Sequence, residues 1–169
     1  ARSLAKKIFY ILAEAEAKAH AVPMDQVHFH EVGAVDSIVD IVAAAVCLDD
    51  LGIQEVAFTK LCEGCGTIRC QHGILPVPVP ATANIMDTYD LPVELIDVQG
   101  EFVTPTGAAI AAAIKTRDRL PKRCHIKKIG MGAGKRNYER PSILRIMLLE
   151  EMDQTDSDPI CKLESNIDD

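Results

Sequence analysis

Apolar residues recur every three or four positions over residues 4–19. Because side chains at that spacing share one face of a helix, they predict an amphipathic helix that ends before Pro23. A second helix is predicted over residues 35–51, where apolar residues cover most of the circumference and a glycine follows. Further helices are predicted over residues 81–87 and from Thr104, which is an N-cap residue followed by proline.

Short apolar or alternating runs between and after these helices predict β-strands. The predicted strands are residues 27–30, 56–61, 67–70, 93–98, 126–130, 143–149 and 160–165. The segment "LPVPVPAT" is excluded as a central strand, because its three prolines lack the N–H that a strand ladder needs. The mixture predicts an α/β fold, with a mixed β-sheet and packed helices in a single compact domain over residues 1–160. The chain stops without the polar taper of a natural terminus, so a fragment of a longer protein is expected.

The composition excludes several classes of function. Only 4% of the 169 residues are aromatic and none is Trp, so small aliphatic side chains must build the core. A net charge of −7 argues against a nucleic-acid partner and against an anionic membrane surface. The sequence shows neither a membrane span nor a signal peptide, and its six cysteines are therefore expected to be reduced thiols in the cytoplasm.

One apolar segment, "VHFHEVGAVDSIVDIV" at residues 27–42, carries metal-ligand and proton-transfer side chains. In a strand His28 and His30 point to the same side, and Asp36 and Asp40 share one face of the following helix. Two carboxylates on an apolar helix repel each other unless a cation lies between them. The segment therefore predicts a site for Ni²⁺, Zn²⁺ or Mn²⁺ in a polar cleft. The alternative is that the histidines bind backbone groups and the aspartates pair with Lys or Arg from elsewhere.

Two segments have features of anion-binding sites. Thr104 and Thr106 supply hydroxyl groups at a predicted helix N-terminus, where free N–H groups and the helix dipole favour an anion. The sequence "GMGAGKR" at residues 130–136 would form a loop whose N–H groups approach a phosphate, beside Lys135 and Arg136. It matches neither a Walker loop nor a dinucleotide-binding fingerprint. Plain helix capping and a glycine-rich bend between strands are the alternatives.

The pattern Cys62-x2-Cys65-x4-Cys70-x-His72 has some features of a zinc site. Structural zinc usually takes its second ligand pair from a separate turn, whereas Cys70 and His72 would lie on one strand. Free thiols packed as small apolar residues are therefore the favoured interpretation, and a zinc-stapled interaction domain is the alternative.

The tail "LESNIDD" is rich in hard oxygen ligands and includes Asp168 and Asp169. Such ligands hold Mg²⁺ or Mn²⁺ on nucleotides, so the two aspartates are candidates for a divalent-ion site. A solvated strand end is the alternative.

Five segments in this order resemble the LarC family of nickel-insertion proteins: "HFHEVGAVDSIVDI", "HGILPVPVPAT", "TPTGAAI", "GMGAGKRNYERPSILR" and "LESNIDD". The resemblance extends from the first helix to the last residue. It implies a lyase, a CTP-dependent cyclometallase that inserts nickel into pyridinium-3,5-bisthiocarboxylic acid mononucleotide, with Mn²⁺ or Mg²⁺ assisting CTP. The implied product is the nickel-pincer nucleotide cofactor of lactate racemase. Family members are longer at both ends, which implies that this chain is a central fragment and inactive alone. A further domain follows the "NIDD" motif in the family, so residues 161–169 are expected to begin that domain.

The resemblance also implies roles for the candidate residues. The implied metal ligands are His28, His30, Glu31, Asp36, Asp40, Asp168 and Asp169. The implied phosphate- or nucleotide-binding residues are Thr104, Thr106, Gly132, Gly134, Lys135 and Arg136. The implied partners are the mononucleotide, CTP and the apo racemase, and the full-length protein is expected to form a homo-oligomer. The alternative function is a metal-storage or scaffold module whose chemistry belongs wholly to another domain.

Overall fold

The computed structural model describes residues 1–27, 35–70, 72–136 and 138–152. The helices in these residues are α1 (Arg2–His20), α2 (Val35–Asp50), α3 (Pro80–Thr88) and α4 (Pro105–Ile114), with a short 3₁₀ helix at Met24–Gln26. The strands are β1 (Leu61–Cys65), β2 (Thr67–Cys70), β3 (Gly73–Pro76), β4 (Val93–Gln99), β5 (Cys124–Ala133) and β6 (Ile143–Glu151). The chain divides into a larger unit, residues 1–120 with 133–143, and a smaller unit, residues 121–132 with the chain from residue 144.

The core of the larger unit is built by α1, α3 and α4. On α1 the buried residues are Ile8, Ile11, Leu12 and Ala15, which have the helical spacing that the sequence predicts. They belong to one hydrophobic cluster with Ile85 of α3 and the buried alanines of α4. Because alanine ends at Cβ, α4 can lie close to its neighbours, and the aromatic residues Phe9, Phe58 and Tyr89 are only partly buried against this core.

Helix α2 packs less completely than the other long helices. It ends one residue before the predicted boundary, and Gly52 follows with a φ of 63°, a conformation that glycine adopts without strain. The helix buries only Ile41 and Ala45. Its exposed large apolar residues are Val35, Ile38, Val39, Val42 and Val46. The helix is therefore correctly predicted, but most of its apolar surface is not covered by the described residues.

Strands β1 and β4 form a parallel pair with a register shift in β1. The strand predicted over residues 56–61 is wrong, because β1 begins at Leu61 and continues through Gly64 to Cys65. Gly64 explains the error. A Cβ at this position would overlap the carbonyl oxygen of Gly100, so only glycine permits this close approach of two backbones.

Strands β2 and β3 form an antiparallel hairpin. The strand predicted at residues 67–70 is confirmed as β2, whereas β3 is not predicted. Gly73 and Pro76 lie at the two ends of β3, and both residue types are depleted in strands, so the pattern gives no strand signal. Among the described strands β3 has one partner, which agrees with the exclusion of the proline segment from a central strand.

Strands β5 and β6 pair with each other and form most of the described part of the smaller unit. Both are longer than predicted, and β5 continues through Gly130 and Gly132. Its exposed apolar side chains include Ile126, Ile129 and Met131. Lys127 Nζ and Glu150 Oε2 are 3.0 Å apart and form a solvent-exposed salt bridge between the two strands.

The α/β fold class is confirmed, with parallel and antiparallel strand pairs beside the four helices of the described residues. The described strands form three two-stranded sheets. The strand predicted at residues 27–30 (apart from Val27), the strand predicted at 160–165 and the domain boundary at 160 lie outside the described residues. In the described part of the chain, no helix combines the length and the apolar character that crossing a membrane requires.

Candidate functional site

A cavity of about 630 Å³ lies in the larger unit. Its volume is within the range of roughly 300–1,000 Å³ that small-molecule sites occupy. Its polar lining residues form three groups. We call them the α4 wall (Glu101, Thr104, Thr106 and Arg136), the α2 wall (Asp36, Ser37 and Asp40) and the β2 wall (Glu16, His20, Arg69, Cys70 and His72).

The N-terminus of α4 contributes the first part of the α4 wall. Thr104 has an extended backbone, with φ −76° and ψ 160°, and its Oγ1 accepts a hydrogen bond of 3.1 Å from the N–H of Gly107. The predicted N-cap is therefore confirmed, and Pro105 occupies the first helical position. Because the first N–H groups of a helix lack helical partners, this end of α4 carries partial positive charge at the cavity.

Arg136 contributes the cation of the α4 wall and is held by a residue that the sequence does not indicate. Its Nη1 lies 3.1 Å from Oε2 of Glu101, whose side chain is 6% exposed, and Tyr138 donates a hydrogen bond of 2.8 Å to the Glu101 carbonyl. The hydrogen bond with Tyr138 and the interaction with Glu101 raise the pKa of Arg136, so the guanidinium stays charged. Glu101 has no local motif, and only its position in the fold reveals its role.

The α2 wall brings Asp36 and Asp40 to the same cavity, as their spacing of four residues predicts. Asp36 Oδ1 accepts a hydrogen bond of 2.8 Å from the N–H of Ser37. The other predicted ligands of this site, His28, His30 and Glu31, lie outside the described residues. No group of three or more His, Cys, Asp or Glu side chains in the described residues could hold a metal ion. A metal site at the α2 wall therefore stays a prediction, and the same holds for Asp168 and Asp169.

The β2 wall contains groups that the sequence does not assign to this cavity. His20 Nε2 lies 3.6 Å from Glu16 Oε2, and the His20 and His72 ring centroids are 5.0 Å apart. Arg69 adds a second guanidinium to the lining, and Cys70 adds a thiol. Cys70 and His72 had a signal in the cysteine pattern, but their position beside α1 is a consequence of the tertiary fold.

Three of the residues predicted to bind a phosphate do not line the cavity: Gly132, Gly134 and Lys135. Gly132 lies in β5, not in the predicted loop, and the N–H of Gly134 donates to Ser142 at 3.3 Å. A Cβ at either glycine would meet no atom within 4 Å, so no close contact with the described residues requires glycine there. Of the segment "GMGAGKR", only Arg136 lines the cavity.

The four predicted zinc ligands do not converge. Cys62 Sγ lies 3.8 Å from Glu94 Oε2, and Cys65 Sγ lies 3.9 Å from Asp97 Oδ1, while the other two ligands line the cavity. All four residues are described, and they form no group that could hold a metal ion. Cys62, Cys65 and Cys70 are half-buried free thiols in the structure, and the zinc-stapled domain stays an alternative prediction.

Comparison with known proteins shows which family the chain resembles. The family model described as "Nickel insertion protein" matches residues 1–169. The chain is 54% identical over 180 residues to the pyridinium-3,5-bisthiocarboxylic acid mononucleotide nickel insertion protein of Alkaliphilus metalliredigens, a match covering 98% of this chain and 43% of that relative. The protein of the same name from Acetivibrio thermocellus is 45% identical, with 99% and 42% covered. A putative nickel insertion protein of Geotalea daltonii is 49% identical, with 98% and 42% covered.

No solved structure gives a significant match. The chain spans less than half the length of these curated relatives. The family model nevertheless covers every residue of the chain, including all three walls of the cavity. The chain therefore belongs to the nickel insertion protein family.

Proposed function

We propose that the full-length protein inserts nickel into pyridinium-3,5-bisthiocarboxylic acid mononucleotide, and that this chain supplies a substrate-binding part of the enzyme. One observation carries the proposal: a single cavity is lined by the α4 wall, which favours anions, and by the carboxylates of the α2 wall, which favour cations. Nickel insertion needs a phosphate-bearing substrate and Ni²⁺ side by side. The two walls have the charges that suit these two ligands.

The α4 wall suits the phosphate of the mononucleotide. A helix N-terminus and nearby hydroxyl groups can bind phosphate without a special motif. Here α4 supplies the N-terminus, and Thr104 and Thr106 supply the hydroxyl groups. Arg136 bonds to Glu101 through Nη1, and a guanidinium has five N–H donors, so donors remain for a ligand. Glu101 therefore orients the guanidinium without using its full capacity to bind an anion.

The α2 wall suits Ni²⁺ as a substrate that is passed on. Asp36 and Asp40 offer hard carboxylate oxygens, and His28, His30 and Glu31 are proposed as further ligands. The mononucleotide offers two thiocarboxylate sulfurs, which are softer ligands than carboxylate oxygens. Transfer of the ion from the α2 wall to the mononucleotide would leave the carboxylates free for the next ion.

The remaining features of the proposal concern the full-length protein. In it, CTP is consumed to CMP and pyrophosphate, and Mn²⁺ or Mg²⁺ is held on CTP with the help of Asp168 and Asp169. The enzyme is a cytoplasmic lyase and a homo-oligomer. Its product, the nickel-pincer nucleotide, is delivered to the apo form of lactate racemase.

The test supplies CTP, Mn²⁺, Ni²⁺ and the bisthiocarboxylate mononucleotide to the full-length protein and to the 169-residue chain in parallel. Mass spectrometry of the small-molecule fraction measures the nickel-pincer nucleotide. We expect product only from the full-length protein, because a site that lacks ligands cannot position the reacting atoms. Nickel binding by the full-length protein without binding of the mononucleotide would instead support the metal-storage function. Product from both chains would show that the chemistry lies within these residues.

A further inference from the structure

A buried carboxylate lies behind the α4 wall and does not line the cavity. Glu63 of β1 is 0% exposed. Its Oε1 accepts hydrogen bonds of 2.8 Å from the N–H of Gly64, 2.8 Å from the N–H of Phe102 and 3.4 Å from the N–H of Val103. Its Oε2 is buried and has no hydrogen-bond partner among the residues that the structure describes. One oxygen of this side chain therefore joins β1 to the segment that leads into α4.

That segment carries the groups that form the α4 wall. Phe102 and Val103 lie between Glu101, which holds Arg136, and Thr104, which caps α4. The segment is fixed from two further sides. Thr82 Oγ1 of α3 donates a hydrogen bond of 3.3 Å to the carbonyl of Val103. The ring centroids of Tyr138 and Phe102 are 4.4 Å apart. Among the described residues, Glu63 is the acceptor for both N–H groups of the segment, so its side-chain length helps to set where the segment lies.

A carboxylate is a costly residue for this position. Burial raises the pKa of Glu63, and three backbone N–H bonds oppose that rise only in part. A buried oxygen without a partner is also unfavourable. Such a group persists where the surrounding structure needs its geometry, and here it holds the segment of residues 102–103.

We propose that Glu63 is a positioning residue for the α4 wall: it fixes residues 102–103 and thereby sets the positions of Arg136 and of the α4 N-terminus. The inference rests on the proposed function, in which this wall binds the phosphate of the mononucleotide. Glu63 does not touch the ligand. Its length and its acceptor oxygen matter, and its negative charge does not.

Two conservative variants of the full-length protein separate length from charge. Glu63→Asp keeps the charge but is one methylene shorter, so its oxygen cannot reach the N–H groups of residues 102 and 103. Glu63→Gln loses the charge but keeps the length and an acceptor oxygen. Calorimetry with the bisthiocarboxylate mononucleotide should show affinity about tenfold weaker for Glu63→Asp, the order expected when a charged ligand loses a well-placed hydrogen bond. Glu63→Gln should restore the affinity to within about threefold of wild type, because an amide oxygen accepts the same bonds.

Nickel affinity measured on the same samples is an internal control. A positioning role leaves Ni²⁺ binding by the α2 wall unchanged, whereas a general loss of structure weakens both ligands. Ile8→Val, in the core on α1, serves as a matched control that lowers the melting temperature without changing affinity for the mononucleotide. If Glu63→Asp fails to fold, Thr82→Val removes the bond to the Val103 carbonyl and should weaken the affinity by about threefold.

The possible results lead to different conclusions. Wild-type affinity in Glu63→Asp, or in Thr82→Val when that variant is used, overturns the inference, as does an equal loss in Glu63→Asp and Glu63→Gln. Parallel losses of nickel and mononucleotide binding also overturn it. If Arg136→Ala binds the mononucleotide as tightly as wild type does, the proposed function of the α4 wall is wrong. This variant leaves Glu63 unchanged, so its result is separate from the test of Glu63.

Discussion

The α4 wall and the α2 wall line the same cavity but are fixed in different ways. In the α4 wall, Arg136 is bonded to Glu101, and the segment beneath it is held by Glu63 and Thr82 from two other elements. In the α2 wall, the described residues give Asp36 one hydrogen bond, from the adjacent N–H of Ser37. The helix that carries it buries only two residues.

This difference indicates that the two walls bind by different physical means. A wall held by long-range hydrogen bonds presents donors in a fixed geometry, so ordering them costs little when the ligand binds. A pair of carboxylates on a lightly packed helix acts mainly through charge, which is less sensitive to geometry and more sensitive to salt. Substitutions that change geometry should therefore affect the α4 wall, and substitutions that change charge should affect the α2 wall.

The largest effect is expected at Arg136. Arg136→Ala should weaken mononucleotide binding by about 10- to 100-fold, because charge-assisted hydrogen bonds to phosphate are lost. The side chain is 64% exposed, so the fold should remain intact. Lys135→Ala is the matched comparison, since Lys135 does not line the cavity, and it should change the dissociation constant by less than about twofold. Calorimetry on the full-length protein measures both, and equal effects would contradict a fixed cation at Arg136.

The next largest effect is expected for nickel at the α2 wall. Asp40→Asn should weaken Ni²⁺ binding by about tenfold, since the loss of one nearby charge is worth roughly 1 kcal/mol or slightly more at a solvated site. Mononucleotide affinity should not fall. Asp50→Asn, at the other end of the same helix, is the control. Competition with a metal indicator at two salt concentrations measures the effect, and a salt-independent affinity would contradict binding through charge.

A smaller effect is expected on stability at the start of α4. Thr104→Ala removes the oxygen that accepts from Gly107 and should lower the free energy of unfolding by about 1 kcal/mol. Thr104→Ser keeps that oxygen and should recover most of the loss. Asp40→Asn should leave stability nearly unchanged, which would sharpen the contrast between the two walls. Denaturant unfolding measures all three variants, and a full loss in Thr104→Ser would show that the hydroxyl is not responsible.

The smallest effect concerns pH. Burial raises the pKa of Glu63 above its ordinary value of 4.5, so the folded state binds the proton more tightly than the unfolded state. The contribution of Glu63 to stability is therefore fully present below about pH 4.5 and is lost as the pH rises through the raised pKa. The glutamine side chain of Glu63→Gln has no ionisable group in this pH range. The stability of wild type relative to Glu63→Gln should fall with rising pH in denaturant titrations, and a difference that is constant or rises would contradict the assignment.

The sequence predicted local features well because they depend on local physics. The apolar spacing of α1, the proline and threonine at the start of α4 and the four-residue spacing of Asp36 and Asp40 all reappear in the structure. It was wrong at β1, because the strand predicted over residues 56–61 begins only at Leu61 and extends through Gly64, where two backbones approach closely. The loop predicted for the segment "GMGAGKR" is wrong at residues 130–133, which lie in β5, and of the whole segment Arg136 alone lines the cavity.

The sequence by itself determined the family, the approximate positions of α1 to α4 and the candidate side chains on α2 and at the start of α4, since periodicity, capping residues and long motifs are properties of neighbouring residues. Tertiary structure alone decided which residues meet. Glu63 and Phe102 are 39 positions apart, and Glu101 and Arg136 are 35 apart, so no local pattern relates them. Their hydrogen bonds form because the β1–β4 pair and the packing of α3 and α4 bring the segment before α4 against β1. Such bonds depend on the position of whole elements, and the sequence encodes those positions only through the complete fold.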